Sequence, residues 1–148
     1  MEKASADLLN RLRLCLLCCR LGVFIVFLVW TYNKLIRPEH GVHIMGKFYS
    51  APGLSEGLII GFSIFELAMC VLLVLGYYKR VTRGFFVLLS LLAVGMPRVI
   101  EGYIRAITVE AHPTILYFTG FCLLACAFTL YYLRDYDTLF SIPDRQNL

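Results

Sequence analysis

The sequence predicts an all-α protein, a bundle of four transmembrane helices with a short interfacial helix in the first outer loop. Three observations carry that prediction. Of 148 residues, 59% are hydrophobic and only 16% charged, a balance foreign to soluble domains. The apolar residues gather into four runs, Leu14–Tyr32, Leu58–Tyr77, Gly84–Ile100 and Ile115–Tyr132. Lys and Arg collect at the ends of those runs rather than along a face. A helix rising about 1.5 Å per residue needs roughly 20 apolar residues to cross a hydrocarbon layer about 30 Å thick. Each run is near that length, too long for a strand and too uniformly apolar for a half-exposed soluble helix. Together they form one integral membrane domain over residues 1–148 and leave no room for a soluble catalytic domain.

The first run follows a short polar lead, Met1–Asn10, in which Asp7 and Asn10 are candidate caps. Arg11 and Arg13 before an apolar stretch imitate a signal peptide, but the stretch is too long and ends in Tyr-Asn-Lys, so it is expected to stay attached as an anchor. The first outer loop, roughly Asn33–Ser55, places Val42, Met45 and Tyr49 at helical spacing with Ile44 and Phe48 beside them, the pattern of a helix lying among headgroups. Pro52-Gly53 is a turn, and Ser55-Glu56 can begin the second spanning helix, which ends at Gly76. A short turn then implies antiparallel packing with the third. Pro97 is expected to kink that third helix near its outer end, and Pro113 suits the first turn of the fourth. The tail after Leu133, RDYDTLFSIPDRQNL, is polar and is expected to be loosely held.

Charge placement sets orientation. Lys3, Arg11, Arg13, Lys79, Arg80, Arg83, Arg134 and Arg145 fall on the side of both termini, and Lys34, Arg37, Lys47, Arg98 and Arg105 on the other. This bias puts both termini in the cytoplasm; the membrane expected is a bacterial inner membrane. Trp30 and Tyr32 at the outer level, and Tyr77, Tyr78, Tyr131 and Tyr132 at the inner one, fit aromatic belts. The net charge of +4 has no basic face to carry it, so nucleic acid is excluded as a partner. The partners to expect are the bilayer and other membrane subunits or further copies of the chain.

Glu66 is the most informative residue, because an ionised carboxylate near mid-bilayer costs about 2.5–3.5 kcal/mol on insertion scales. Helical geometry sets Ser55, Ser63, Glu66 and Cys70 on one side, facing the bundle interior. Gly57, Gly61, Ile64 and Ala68 lie opposite, with the Gly57-x-x-x-Gly61 spacing of a close-packing face. On the first helix Arg20, Phe27, Thr31 and Lys34 share a side. Arg20 and Glu66 differ in depth by about one turn, so two readings stay open: a buried Arg20–Glu66 pair, or a protonated Glu66 bonded to Ser63, a tyrosine or water. On the third helix Gly84, Leu91, Gly95, Arg98 and Gly102 share a side. Arg98 either turns inward to Glu101, Glu66 or an anionic ligand, or snorkels to the outer surface, the favoured reading.

The cysteines Cys15, Cys18, Cys19, Cys70, Cys122 and Cys126 lie in the central or inner part of the predicted bilayer, away from an oxidising compartment. Hydrocarbon disfavours their thiolates, so low reactivity is expected. Thr119, Cys122, Cys126 and Thr129 make a stripe that reads as a helix-packing face. Lipidation near the inner surface, at Cys15 or Cys18, is the minor alternative. His40, His43 and His112 lack close carboxylate or cysteine partners, so no metal site is expected.

Arg20-Leu21-Gly22, then Phe27, Trp30, Lys34 and Pro38, followed by Glu66 and Leu72-Leu73-Val74-Leu75-Gly76, resembles the DoxX-like family of membrane proteins. The resemblance covers roughly Arg20–Gly76, and Thr31 stands where that family often has a glycine shortly before the lysine. It implies a four-helix bundle and a link with membrane redox systems, since the family name derives from a small subunit associated with quinone-linked sulfur-compound oxidation. Relatives in this broad group include assembly factors and chaperones. Related redox-maturation proteins carry an outward-facing cysteine pair, which this chain lacks.

Three functions are therefore weighed. The first is a non-catalytic accessory subunit of a membrane oxidoreductase that holds a lipophilic ligand such as quinone through Arg20, Lys34, Ser63, Glu66 and Arg98. The second is an assembly or scaffolding factor docking a helix on Gly57 and Gly61. The third is a small proton-coupled transporter centred on Glu66. No nucleophile, metal constellation or nucleotide motif supports catalysis by this chain alone.

Overall fold

The computed structural model describes residues 2–49, 55–95, 100, 101, 104 and 119–141, and among these the chain is all-helical, with no strand. Five helices carry the fold: α1 Glu2–Ile36, α2 Pro38–Tyr49, α3 Glu56–Leu75, α4 Lys79–Val94 and α5 Thr119–Tyr132. Two of them, α1 (over Ser5–Ile36) and α3, are long and apolar enough to cross a membrane, and Gly120–Tyr132 is a shorter apolar helix.

Helix α1 starts well before the expected Leu14. Its lead of Glu, Lys, Ala and Leu contains no glycine or proline, so strong helix formers join the apolar run without a break. It stops where Pro38 restricts the residue before it. Pro38 then opens α2, where its missing N–H costs nothing. Hydrogen bonds bridge the joint: Arg37 N–H donates to Asn33 O (3.0 Å), and Gly41 N–H to Arg37 O (3.3 Å). The expected short helix in the first outer segment is therefore present, as a near-continuation of α1. Gly41 lets it lie against α3, because a Cβ there would come within 2.9 Å of the Ile59 side chain.

The end of α3 is set by Gly76, whose φ of 64° is left-handed. Gly76 N–H donates to Leu73 O (3.1 Å) and Tyr77 N–H to Leu72 O (3.1 Å), the paired bonds of a Schellman motif. Helix α4 begins at Lys79, five residues before the expected Gly84, since the basic turn is itself helical: Thr82 N–H donates to Tyr78 O (2.9 Å) and the Thr82 hydroxyl to Tyr77 O (3.0 Å). Its described part ends at Val94. The kink expected at Pro97, Arg98, Pro113 and residues 115–118 of the expected fourth span lie outside the described residues.

Helix α1 is the central element, touching α2, α3 and α5, and α4 packs chiefly on α5. The turn between α3 and α4 is short, as expected, but their contact is slight, with Phe65 and Phe85 edge to face at 5.4 Å. Leu16, Val23, Phe27, Met69, Leu73, Phe86, Ala127 and Leu130 form the core, with the rings of Phe27 and Phe86 4.9 Å apart. The exterior is apolar: Leu14, Ile25 and Val29 of α1, Leu58, Ile64 and Val71 of α3, and Leu88 and Leu91 of α4 are all exposed. Buried charge inside and exposed aliphatic surface outside invert the pattern of a water-soluble domain.

Candidate functional site: two buried polar clusters

The polar residues inside the bundle form two clusters. The first joins α1 to α3. Lys34 donates to Glu66 Oε2, an ion pair in which Glu66 is 1% exposed and Lys34 19%. Lys34 also lies 5.3 Å from the Phe62 ring centroid, adding a cation–π contact to a charge that is largely out of water. Helix spacing explains the meeting: Arg20, Phe27, Thr31 and Lys34 do share a side, and the first three are buried. Ser63, Glu66 and Cys70 are likewise buried along α3, whereas Ser55 at its start is exposed.

Thr31 and Ser63 spend their hydroxyls on their own helices, donating to Phe27 O (2.7 Å) and Ile59 O (2.8 Å). Ser90 does not. It is buried one turn beyond Phe86, as Thr31 is one turn beyond Phe27, so the Phe27–Phe86 contact brings both to one layer. The Ser90 Oγ has no hydrogen-bond partner among the described residues. The bundle interior thus holds an unused hydroxyl on α4 as well as the carboxylate–ammonium pair that joins α1 to α3.

Arg20 does not pair with Glu66. Glu66 is taken by Lys34, and Arg20 turns toward the end of the bundle where α3 passes into α4. A helical side chain leans toward its own N-terminus, which carries the Arg20 guanidinium away from Glu66. There it meets the second cluster.

That cluster is built by the segment after α5. Asp137 is wholly buried and its Oδ2 accepts from Arg83 Nη2, with Arg20 Nη1 3.5 Å away. Arg83 Nη1 donates to Arg134 O (2.9 Å) and lies 3.3 Å from Leu130 O, so one guanidinium reads the end of α5 and the carboxylate beyond it. Arg20 Nη2 donates to Leu139 O, Lys79 Nζ to Asp137 O (2.8 Å) and the Ser141 hydroxyl to Asp137 O (3.2 Å). Gly76 completes the seat: a Cβ on it would lie 3.0 Å from Ser141 Cα and 2.9 Å from Arg20 Nη1. Residues 133–141 are thus a strap fastened by α1 and α4, so this part of the expected loose tail is held; residues 142–148 lie outside the described residues. A polar segment is held firmly when buried guanidiniums need its carboxylate and carbonyls.

Compared with family models, curated proteins and solved structures, the chain matches none.

The remaining expected site residues are dispersed. Gly57 and Gly61 are exposed, and a Cβ on either would meet nothing within 4 Å, so that face packs on no described part of this chain. Cys122 is exposed and Cys126 only half-buried. The buried face of α5 is Ala127 and Leu130, with Leu123 and Cys126 packed beside them, so of the expected cysteine pair Cys126 borders the packing face and Cys122 points away from it. Cys15 and Cys18 are exposed as well, and all six cysteines are free thiols. No group of His, Cys, Asp or Glu able to hold a metal occurs among the described residues.

Arg83, Asp137 and Ser90 were not singled out by sequence reasoning. A signal for the first two existed: Arg20 requires a buried partner, and Asp137 lies on the same predicted side of the bilayer.

Proposed function

We propose that this protein is a four-span integral protein of a bacterial inner membrane, with cytoplasmic termini. In that setting it serves as a non-catalytic accessory subunit of a membrane oxidoreductase, holding a lipophilic ligand such as quinone. The observations that carry the reading are the buried Lys34–Glu66 pair and, separately, the unpartnered buried Ser90 hydroxyl, inside helices whose outer surfaces are aliphatic. A quinone offers carbonyl acceptors on a flat apolar ring and needs donors set in an apolar wall. Lys34 and Ser90 are donors of that kind, and Glu66 fixes the ammonium in place. The resemblance of Arg20–Gly76 to DoxX-like proteins agrees with this assignment. Support for the membrane setting comes from α1 and α3 as candidate spans and from charges that face inward.

The test is extraction and quantification of quinone from protein purified out of membranes in mild detergent. Wild type is expected to carry quinone, and Ser90→Ala and Lys34→Met to carry much less while eluting as the same folded species. Quinone-free wild type, or equal quinone in all three proteins, would refute the proposal.

One observation favours a second reading, a scaffolding or assembly role: the Gly57 and Gly61 face is exposed and unused within the described chain. Under that reading Gly57→Leu or Gly61→Leu would lose a co-purifying membrane subunit without affecting bound quinone.

A further inference from the structure

The strap cluster is electrically unbalanced. Two guanidiniums, Arg20 and Arg83, each about 98–99% buried, converge on the single carboxylate of Asp137. Arg134 leaves the count alone, since its nearest carboxylate is Asp135 at 4.0 Å. The match is also geometrically incomplete. Arg20 Nε and Nη1 and Asp137 Oδ1 are buried without a hydrogen-bond partner among the described residues. A guanidinium has five donors in a planar fork suited to an oxyanion with several acceptors, and here Arg20 uses only Nη2. One carboxylate oxygen shared by two arginines falls short of what the pair can bind.

The geometry points to the Arg20–Arg83 pair as a binding site for a phosphate-bearing anion, with Asp137 of the strap as its internal competitor. A phosphate or phosphodiester group supplies more acceptor oxygens than Asp137 does, and its charge would offset the excess positive charge. While the strap is down, Asp137 and the Leu139 carbonyl occupy the two guanidiniums. Entry therefore requires residues 133–141 to lift, and the strap is held mainly by the groups an anion would occupy: Arg20 to Leu139 O and Asp137, and Arg83 to Arg134 O and Asp137. Lys79 and Arg80 flank the same end and would draw anions toward it. The anion is either free phosphate or the headgroup of an anionic lipid. The lipid source rests on the membrane setting proposed above, and the free-phosphate source does not.

The experiment uses the full chain in neutral detergent, with native mass spectrometry to count bound inorganic phosphate, phosphatidylglycerol or phosphatidylcholine. Asp137→Asn removes the competitor and is expected to raise apparent affinity about tenfold, because the competent open state no longer competes with an internal carboxylate. Adding Arg83→Gln should abolish that gain, while Arg11→Gln, outside the cluster, should not. Tighter binding of phosphatidylglycerol but not phosphate assigns a lipid headgroup, and the reverse a soluble anion. Equal binding of phosphatidylcholine and phosphatidylglycerol, with no response to phosphate, overturns the site. Because Asp137→Asn leaves two buried cations and can impair folding, a second measurement uses wild type. Trypsin cleavage after Arg134, followed by intact mass, should accelerate severalfold when phosphate or phosphatidylglycerol lifts the strap. An unchanged rate under both overturns the competition.

Discussion

Breaking the Lys34–Glu66 pair one side at a time should cost far more than removing it whole. Glu66 is almost fully buried and Lys34 mostly so, so Lys34→Met leaves a carboxylate, and Glu66→Leu an ammonium, without a counter-charge in an apolar layer. Removing one partner of a buried pair costs about 3–5 kcal/mol, whereas an apolar replacement of both is often neutral. Lys34→Met and Glu66→Leu should each lower the thermal midpoint in detergent by roughly 10 °C, at about 2–4 °C per kcal/mol for a chain of this size. The double variant should lie within about 1 kcal/mol of wild type. The same cycle run on Arg20→Gln and Glu66→Leu should be additive to within about 0.5 kcal/mol, as those residues share no contact. Additivity between Lys34 and Glu66, or coupling between Arg20 and Glu66, would refute the assignment of partners.

Three further outcomes are expected. Gly76→Ala forces a side chain into the left-handed region at a cost of about 1–2 kcal/mol and also pushes against Ser141 and Arg20; trypsin should then cut after Arg134 faster than in wild type, and an unchanged rate would contradict the seat described. Truncation after Tyr136 removes Asp137 and should destabilise the bundle by about 3–5 kcal/mol, read as a lower thermal midpoint, whereas Phe140→Ala, at an exposed ring, should stay within about 0.5 kcal/mol of wild type. In folded protein N-ethylmaleimide should react slowly with every thiol, since hydrocarbon disfavours the thiolate, but with exposed Cys15, Cys18 and Cys122 about tenfold or more faster than with buried Cys70; peptide mass mapping over time would show the order, and early loss of Cys70 would count against its burial.

How far the sequence reaches is clearest at Glu66 and Asp137. Glu66 was legible because a carboxylate in a long apolar helix has one economical solution, facing inward, and helical spacing named its neighbours Ser63 and Cys70. Its partner was legible only as a class. Arg20 and Lys34 both lie on the right side of α1, but they stand about 21 Å apart along it. The structure sets Lys34 at the level of Glu66 and Arg20 at that of Gly76, and the lean of each side chain toward the N-terminus of α1 brings Lys34 down to Glu66 and carries Arg20 farther from it. Asp137 was legible only through the unmet need of Arg20 for a buried partner, because it lies in a segment with no periodicity of its own. Short polar stretches give no local sign of whether a distant arginine will claim them. The same limit applies on α5, where a thiol stripe and an aliphatic stripe lie side by side on one helix and only the neighbouring helices decide between them.

The two clusters divide the labour of holding α1. Near its C-terminal end Lys34 ties it to α3, and near its middle Arg20 ties it, through the strap, to α4. Aliphatic packing between helices in lipid carries little directional information, because the acyl chains are as apolar as the side chains they replace. Buried ion pairs supply that direction, and here they fix both the register of α1 against α3 and the position of the chain after α5. The pairs differ in one respect that bears on function. Lys34 and Glu66 balance each other and leave Ser90 free to bond a neutral ligand, whereas Arg20 and Arg83 outnumber Asp137 and favour an anion. A charge-reversed pair, Lys34→Glu with Glu66→Lys, should therefore keep the fold, while exchanging Arg83 and Asp137 should not, because Arg83 also donates to the carbonyls of Leu130 and Arg134. Equal tolerance of the two exchanges, read by thermal midpoint, would mean that the strap is held by charge alone.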